Sequence, residues 1–240
     1  MSALQTSQQP QTKPSSRKEL REDRMVTLYA KAWLFFEENR TLVYGALAGL
    51  VLLAAGVVGY LYYQTQQQAA AEQDLARIVR TYEQGSYQAA LDGTGNAMGL
   101  LAISDNYSGT QAGNLATYYA ADALYRLGEY DRALELFQEY DATEDLIGAS
   151  ALAAQAAIYA NRGEFDRAAS LYVDAAEQYP NSLTTPKYLM SAGKAHEEAG
   201  DYAAAINAYQ RIEDEYSESS FAQQAPRYIA RAEARQADAP

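Results

Sequence analysis

The sequence predicts an all-α chain in which a single N-terminal transmembrane helix precedes a solenoid of helix pairs. Three observations carry this reading. Thr41 to Tyr63 is a stretch of 23 residues without a charged side chain. A glycine–aromatic–alanine pattern recurs four times after it. The C-terminal part is rich in alanine and poor in β-branched runs, a composition that favours helix.

The apolar stretch, TLVYGALAGLVLLAAGVVGYLYY, is about 34 Å long as a helix at 1.5 Å per residue, enough for a hydrocarbon core of about 30 Å. Arg40 bounds it on one side and the run Gln64 to Gln68 on the other. Tyr44, Tyr60, Tyr62 and Tyr63 stand near its ends, where amphipathic rings prefer the headgroup layer. A buried core helix is the other reading. It needs neighbours that cover every face, and the remaining helices are strongly amphipathic.

Charge sets the expected orientation. Seven basic residues precede the span (Lys13, Arg17, Lys18, Arg21, Arg24, Lys31, Arg40), and only Arg77 and Arg80 follow within the next twenty. The N-terminus is expected to stay in the cytoplasm while the C-terminal part crosses, facing the periplasm of a bacterium as a single-pass protein of the inner membrane. A cleaved signal peptide fits less well, because its apolar core is about 7 to 15 residues and lies nearer the start.

The expected domains are a cytoplasmic leader (1–40), disordered to about residue 15 and then an amphipathic helix; the membrane helix (41–63); and a helical linker with a degenerate first repeat and an insertion (64–113). Repeats (114–217) and a C-terminal capping helix with a tail (218–240) follow. Trp33, Phe35 and Phe36 suit the membrane interface; a plain cytoplasmic extension of the membrane helix is the alternative.

The whole chain holds 19 Lys+Arg against 31 Asp+Glu, a net charge of −12; after Tyr63 the balance is 12 against 26, or −14. A domain of that sign is repelled by phosphates, so nucleic-acid binding is a poor fit. The absence of cysteine excludes disulfides, thiol catalysis and iron–sulfur ligation. His196, the single histidine, has no second soft ligand for a metal, and packing between helices accounts for it. The glycines of Gly93-Thr94-Gly95-Asn96-Ala97-Met98-Gly99 follow no strand, so they read as a loop and not as a dinucleotide site. Catalytic, cofactor-binding and metal-binding residues are each expected to be none, and the chain is read as a binding protein and not an enzyme.

The four pattern segments begin at Gly85, Gly128, Gly163 and Gly200, spaced by 43, 35 and 37 residues. Each glycine allows a left-handed end to one helix, and the acidic residue after the last three suits the start of the next. Tyr87, Tyr130, Phe165 and Tyr202 pack back on the first helix. Ala90, Ala133, Ala168 and Ala205 let two helices approach, and Phe137, Tyr172 and Tyr209 fill the gap one turn later. This pattern, with Ala156, Tyr159 and Pro180 in the third unit and Gly193 in the fourth, resembles the tetratricopeptide repeat (TPR), two antiparallel helices per unit. The first unit departs from it at Thr94, where the later aromatic belongs.

TPR solenoids present first-helix residues to peptides or other proteins. On that face the candidates are Tyr118, Asp122, Tyr125 and Arg126 of the second unit, Asn161 of the third, and Lys187, Met190 and Lys194 of the fourth. In the span, Gly45 and Gly49 with Ala48, Ala55 and Gly59 form a small-residue stripe, which suits homo-oligomerisation or docking to another membrane protein; glycine is also common in membrane helices generally.

The leader–anchor–repeat layout and the block Leu91 to Tyr130 (LDGTGNAMGLLAISDNYSGTQAGNLATYYAADALYRLGEY) resemble the ancillary Sec-translocon subunit family, in particular its Bacteroidetes relatives. The resemblance implies association with translocon subunits and periplasmic chaperones, assisting newly exported proteins. A scaffold for cell division or outer-membrane assembly is the alternative.

Overall fold

The computed structural model describes residues 27, 29–31, 33–142 and 145–239. The expected disordered leader and the start of the amphipathic helix lie outside the described residues. Two compact units result, Met1–Tyr62 and Tyr63–Pro240.

In the first unit, residues 33–38 are helical and lead through Asn39 into α1, Arg40–Glu83. Trp33 and Phe36 lie 6.2 Å apart, and Phe36 meets Tyr44 edge-on at 5.7 Å. The middle of the apolar part of α1 is open among the described residues: Leu50, Leu52 and Leu53 are 67%, 73% and 70% exposed. Among the described residues, α1 is the one helix long and apolar enough to cross a membrane, and none of its apolar window is buried.

The second unit begins with the remainder of α1, whose buried residues Ala71, Leu75 and Ile78 recur at helical spacing on one face. There follow α2 (Tyr87–Asp92), a two-residue hairpin of β1 (Gly93–Thr94) and β2 (Ala97–Met98), and α3 (Leu100–Asn106). The pairs α4 (Gln111–Leu127) with α5 (Tyr130–Glu139), α6 (Leu146–Asn161) with α7 (Phe165–Gln178), and α8 (Thr185–Ala199) with α9 (Tyr202–Glu215) come next. Helix α10 (Ala225–Ala237) closes the unit. It starts later than the expected range 218–240, because residues 217–224 form turns before Pro226 permits a helical first turn.

The first repeat is degenerate for a visible reason. Its second helix stops after six residues, where Gly93 takes φ +93° and the antiparallel pairing Gly93–Met98 and Thr94–Ala97 turns the chain. Helix α3 then supplies the missing packing with Leu100 and Ile103, both fully buried. The sequence read Gly93 to Gly99 as a loop and did not show the hairpin.

All four pattern glycines have positive φ, between +77° and +85°. At each, the glycine N–H bonds the carbonyl three residues back, and the next N–H bonds the carbonyl five back, as in Glu129→Leu124 (3.0 Å), Glu164→Tyr159 (2.9 Å) and Asp201→His196 (2.9 Å). These are Schellman caps, which satisfy the free carbonyls at a helix end. The acidic residue after the glycine behaves in two ways. Asp201 accepts from the Ala204 N–H at 3.0 Å, whereas Glu129 and Glu164 make no such cap and pair with Arg132 and Arg167. The longer glutamate chain reaches the arginine one turn on instead of the amides beside it.

Ala90, Ala133, Ala168 and Ala205 are all fully buried, as the close-approach reading requires. Helices α8 and α9 approach closely: a Cβ built on Gly193 stands 2.3 Å from Cε1 of Tyr209, a ring with no exposure. Two apolar clusters run in series. One spans α1 through the α6–α7 pair and reaches Ala195, and the other runs from Ala149 to Ala232 in the closing helix. Gly193→Ala should therefore destabilise the chain by about 1–3 kcal/mol, the usual cost of overpacking. Urea unfolding of the solubilised protein followed by circular dichroism measures it, and an unchanged midpoint refutes this packing account.

Candidate functional site

The face formed by the first helices of the repeats holds most of the sequence candidates, and the structure sorts them. Tyr118, Asp122, Tyr125 and Arg126 stand on successive turns of α4. Asp122 is already engaged: its Oδ2 accepts from the Tyr82 hydroxyl of α1 and from Nε of Arg126. Arg126 also lies over the Tyr87 ring at 5.4 Å, and the carboxylate beside it raises its pKa. The four-residue spacing brings acid and guanidinium together, and Tyr82 ties them to the preceding helix.

Tyr118 is half-buried among Tyr119, Phe137 and Tyr140, with centroids 5.8, 6.0 and 5.7 Å away. Burial, with Asp122 nearby, pushes its hydroxyl up to about 12. Tyr125 packs on Tyr130 at 5.4 Å, and burial raises its pKa too. Asn161 is exposed at the end of α6, and Lys187 is exposed in the first turn of α8.

Met190 does not belong on the open surface. It is 3% exposed and packs in the second core cluster, because α8 turns it with Leu189 and Tyr188 toward the core. Lys194 is exposed, with Nζ 5.1 Å from the Tyr228 ring centroid of the closing helix. It also helps line a pocket of about 200 Å3 with Ala160, Phe165, Tyr172, Ser191, Ala195 and Glu198. A Cβ built on Gly45 or Gly49 meets nothing within 4 Å, so the small-residue stripe is open in this single chain.

The residue that sequence reasoning missed is Glu197. It is 3% exposed, yet its carboxylate accepts from the Tyr209 hydroxyl (2.7 Å), from Nε of Arg231 (2.9 Å) and from Nη2 of Arg231 (2.6 Å). Arg235 adds a looser contact at 3.5 Å. A buried charge needs such donors. The available signal was the four-residue spacing of Arg231 and Arg235 in the last helix, opposite an acid on an otherwise apolar face. Around Tyr228 the guanidiniums of Arg227 (5.2 Å) and Arg231 (4.6 Å) join Lys194. Burial works to raise the Tyr228 pKa, but hydrogen bonds from Arg227 and Lys194 outweigh it and lower the value.

These paired helices and their glycine turns define a repeat solenoid of the tetratricopeptide type. A tetratricopeptide repeat family model matches residues 115–141, 151–182 and 188–219, and the chain carries TPR repeats in a mostly helical TPR-like solenoid. Such repeats mark a scaffold for protein–protein interaction. The fold is similar to a crystal structure of nearly identical TPR-like repeats from a protein assigned as a kinesin light chain in Podosopora anserina. The TM-score is 0.54 at 14% identity, covering 71% of this chain and 89% of that one. A glutamine-to-methionine variant of those repeats is equally similar, with a TM-score of 0.54, 14% identity and coverage of 71% and 88%. At this identity the likeness shows the fold alone. No curated protein matches the chain significantly in sequence.

Two outcomes follow from this geometry. Glu197→Ala leaves the Tyr209 hydroxyl without its acceptor and loosens the closing helix, so stability should fall by about 1–3 kcal/mol. Chemical denaturation measures this, and hydrogen exchange should place the loss in α10. Alkaline pH should also unfold the chain. Burial raises the pKa of Tyr82, Tyr118, Tyr172 and Tyr209, Tyr118 and Tyr172 to about 12. Unfolded tyrosines ionise near 10 and release protons that the folded state keeps, so this stabilisation is complete below about pH 10 and is lost as pH rises through the folded values. Tyr228 alone opposes the trend. A denaturation midpoint that stays flat from about pH 9 to pH 12 contradicts it.

Proposed function

We propose that this chain is a membrane-tethered, non-enzymatic binding scaffold of the bacterial envelope that assists secretion or folding of exported proteins at the Sec translocon. The observation that carries the reading is the pairing of three matched TPR units with one helix whose apolar window is wholly unburied. Seven basic residues before the span and an acidic domain after it support a cytoplasmic N-terminus and a periplasmic repeat domain.

The exposed cations Lys187 and Lys194 and the apolar pocket beside Phe165 and Tyr172 are the partner-facing chemistry of the last two repeats. Arg126 and Asp122 are committed to each other, so their contribution is the shape of the surface and not free charge.

Crosslinking in membranes followed by affinity purification of the solubilised protein tests the reading. Translocon subunits or periplasmic chaperones should be recovered, and the Lys187→Glu, Lys194→Glu double variant should reduce their yield several-fold. Recovery of cell-division or outer-membrane assembly proteins instead favours the envelope-organising alternative. Protease added to intact spheroplasts should remove the repeat domain, and a domain protected until lysis refutes the topology.

A further inference from the structure

The loop between α3 and α4 runs along α1. The Tyr107 hydroxyl donates to Asp74 Oδ2 at 2.9 Å, Gly109 lies against the Gln64 side chain, and the Ala112 N–H donates to Gln68 Oε1 at 3.3 Å. The loop therefore descends from the level of Asp74 to that of Gln64, the first residue after the apolar stretch. Its tip is pinned there. Thr110 caps α4 by accepting from the Gly113 N–H at 3.0 Å, and its hydroxyl donates to the Tyr107 carbonyl at 2.8 Å. A Cβ on Gly113 would stand 1.9 Å from that same carbonyl, so the bend tolerates no larger residue.

The distances place this tip in a defined layer. Gln64 to Gln68 cover about 7 Å of helix, and a headgroup region is about 5–7 Å deep on each side of the hydrocarbon core. The composition agrees. The loop itself, residues 106–111, contains no charged side chain in a domain of net charge −14, while Asp105, Glu139 and Asp141 line a pocket with it, so a zwitterionic headgroup layer suits the tip better than an anionic one. Ser108 and Gly109 are exposed, with hydroxyl and backbone groups free to bond to phosphate esters.

We propose that the loop tip, residues 108–111, is a lipid-headgroup contact that seats the first repeat on the membrane surface. This rests on the reading of residues 41–63 as a membrane span. The occupant is the phospholipid headgroup layer itself.

The lack of native cysteine allows single-cysteine labelling of the full chain. Ser108→Cys, Ser86→Cys and Leu53→Cys, each carrying a bimane label, are reconstituted in phosphatidylcholine vesicles doped with nitroxide lipids. Ser86, exposed just past the far end of α1 about 30 Å of helix rise from Gln64, serves as the distant reference. Headgroup nitroxide should quench the Ser108 label several-fold more than the Ser86 label, and acyl-chain nitroxide should quench the Leu53 label. Equal quenching at Ser108 and Ser86 with Leu53 still quenched overturns the headgroup contact and leaves the span standing. An unquenched Leu53 label overturns both. Circular dichroism of each labelled chain confirms that the helices are retained.

Discussion

The tight crossings in this solenoid form where one helix presents almost nothing. Ala90, Ala133, Ala168 and Ala205 occupy the same place in four units, and each is fully buried. At Gly193 the demand is stricter, because the Tyr209 ring fills the volume that a methyl group needs. This close approach forces the other choices. A ring one turn later, Phe137 or Tyr209, fills the space left between pairs, and a left-handed glycine sets the turn that returns the chain at the required angle.

A core built in series has ends, and each end must be closed. Near both ends the same chemical device appears. Asp122 takes a phenol from Tyr82 and a guanidinium from Arg126; Glu197 takes a phenol from Tyr209 and a guanidinium from Arg231. In the first case the phenol reaches across from α1, and in the second the guanidinium reaches across from α10. A carboxylate on a first helix thus links neighbouring helices with directional bonds where apolar area runs out. The same bonds remove these acids from the charge available to a partner, which leaves Lys187, and Lys194 beside the Tyr228 ring, as the prominent exposed cations of the fourth repeat.

The repeats were legible because their chemistry is local. A glycine, an aromatic two residues on and an alanine three further are enough to set a Schellman turn and a tight crossing, and both were found where expected. The hairpin at Gly93–Met98 was not legible, since four strand residues carry no periodicity. Met190 was misplaced for a related reason. Its type suits an interface, but the rotation of α8 about its axis, set by Gly193 against Tyr209, turns it into the core. Glu197 was passed over because an acid in a helix looks solvated until the arginines of a later helix are placed beside it.

By itself, the sequence determined the apolar stretch, the acidic balance, the helix boundaries at glycine and the number of repeat units. Each depends on residues within a few positions of one another. Only the tertiary structure decided which charges are spent inside the fold, which first-helix residues remain open, and that the loop after α3 lies against the first turn beyond the apolar stretch. Those depend on contacts between residues some 30 to 45 positions apart, whose pairing is set by helix rotation and depth of packing, and no local pattern encodes either.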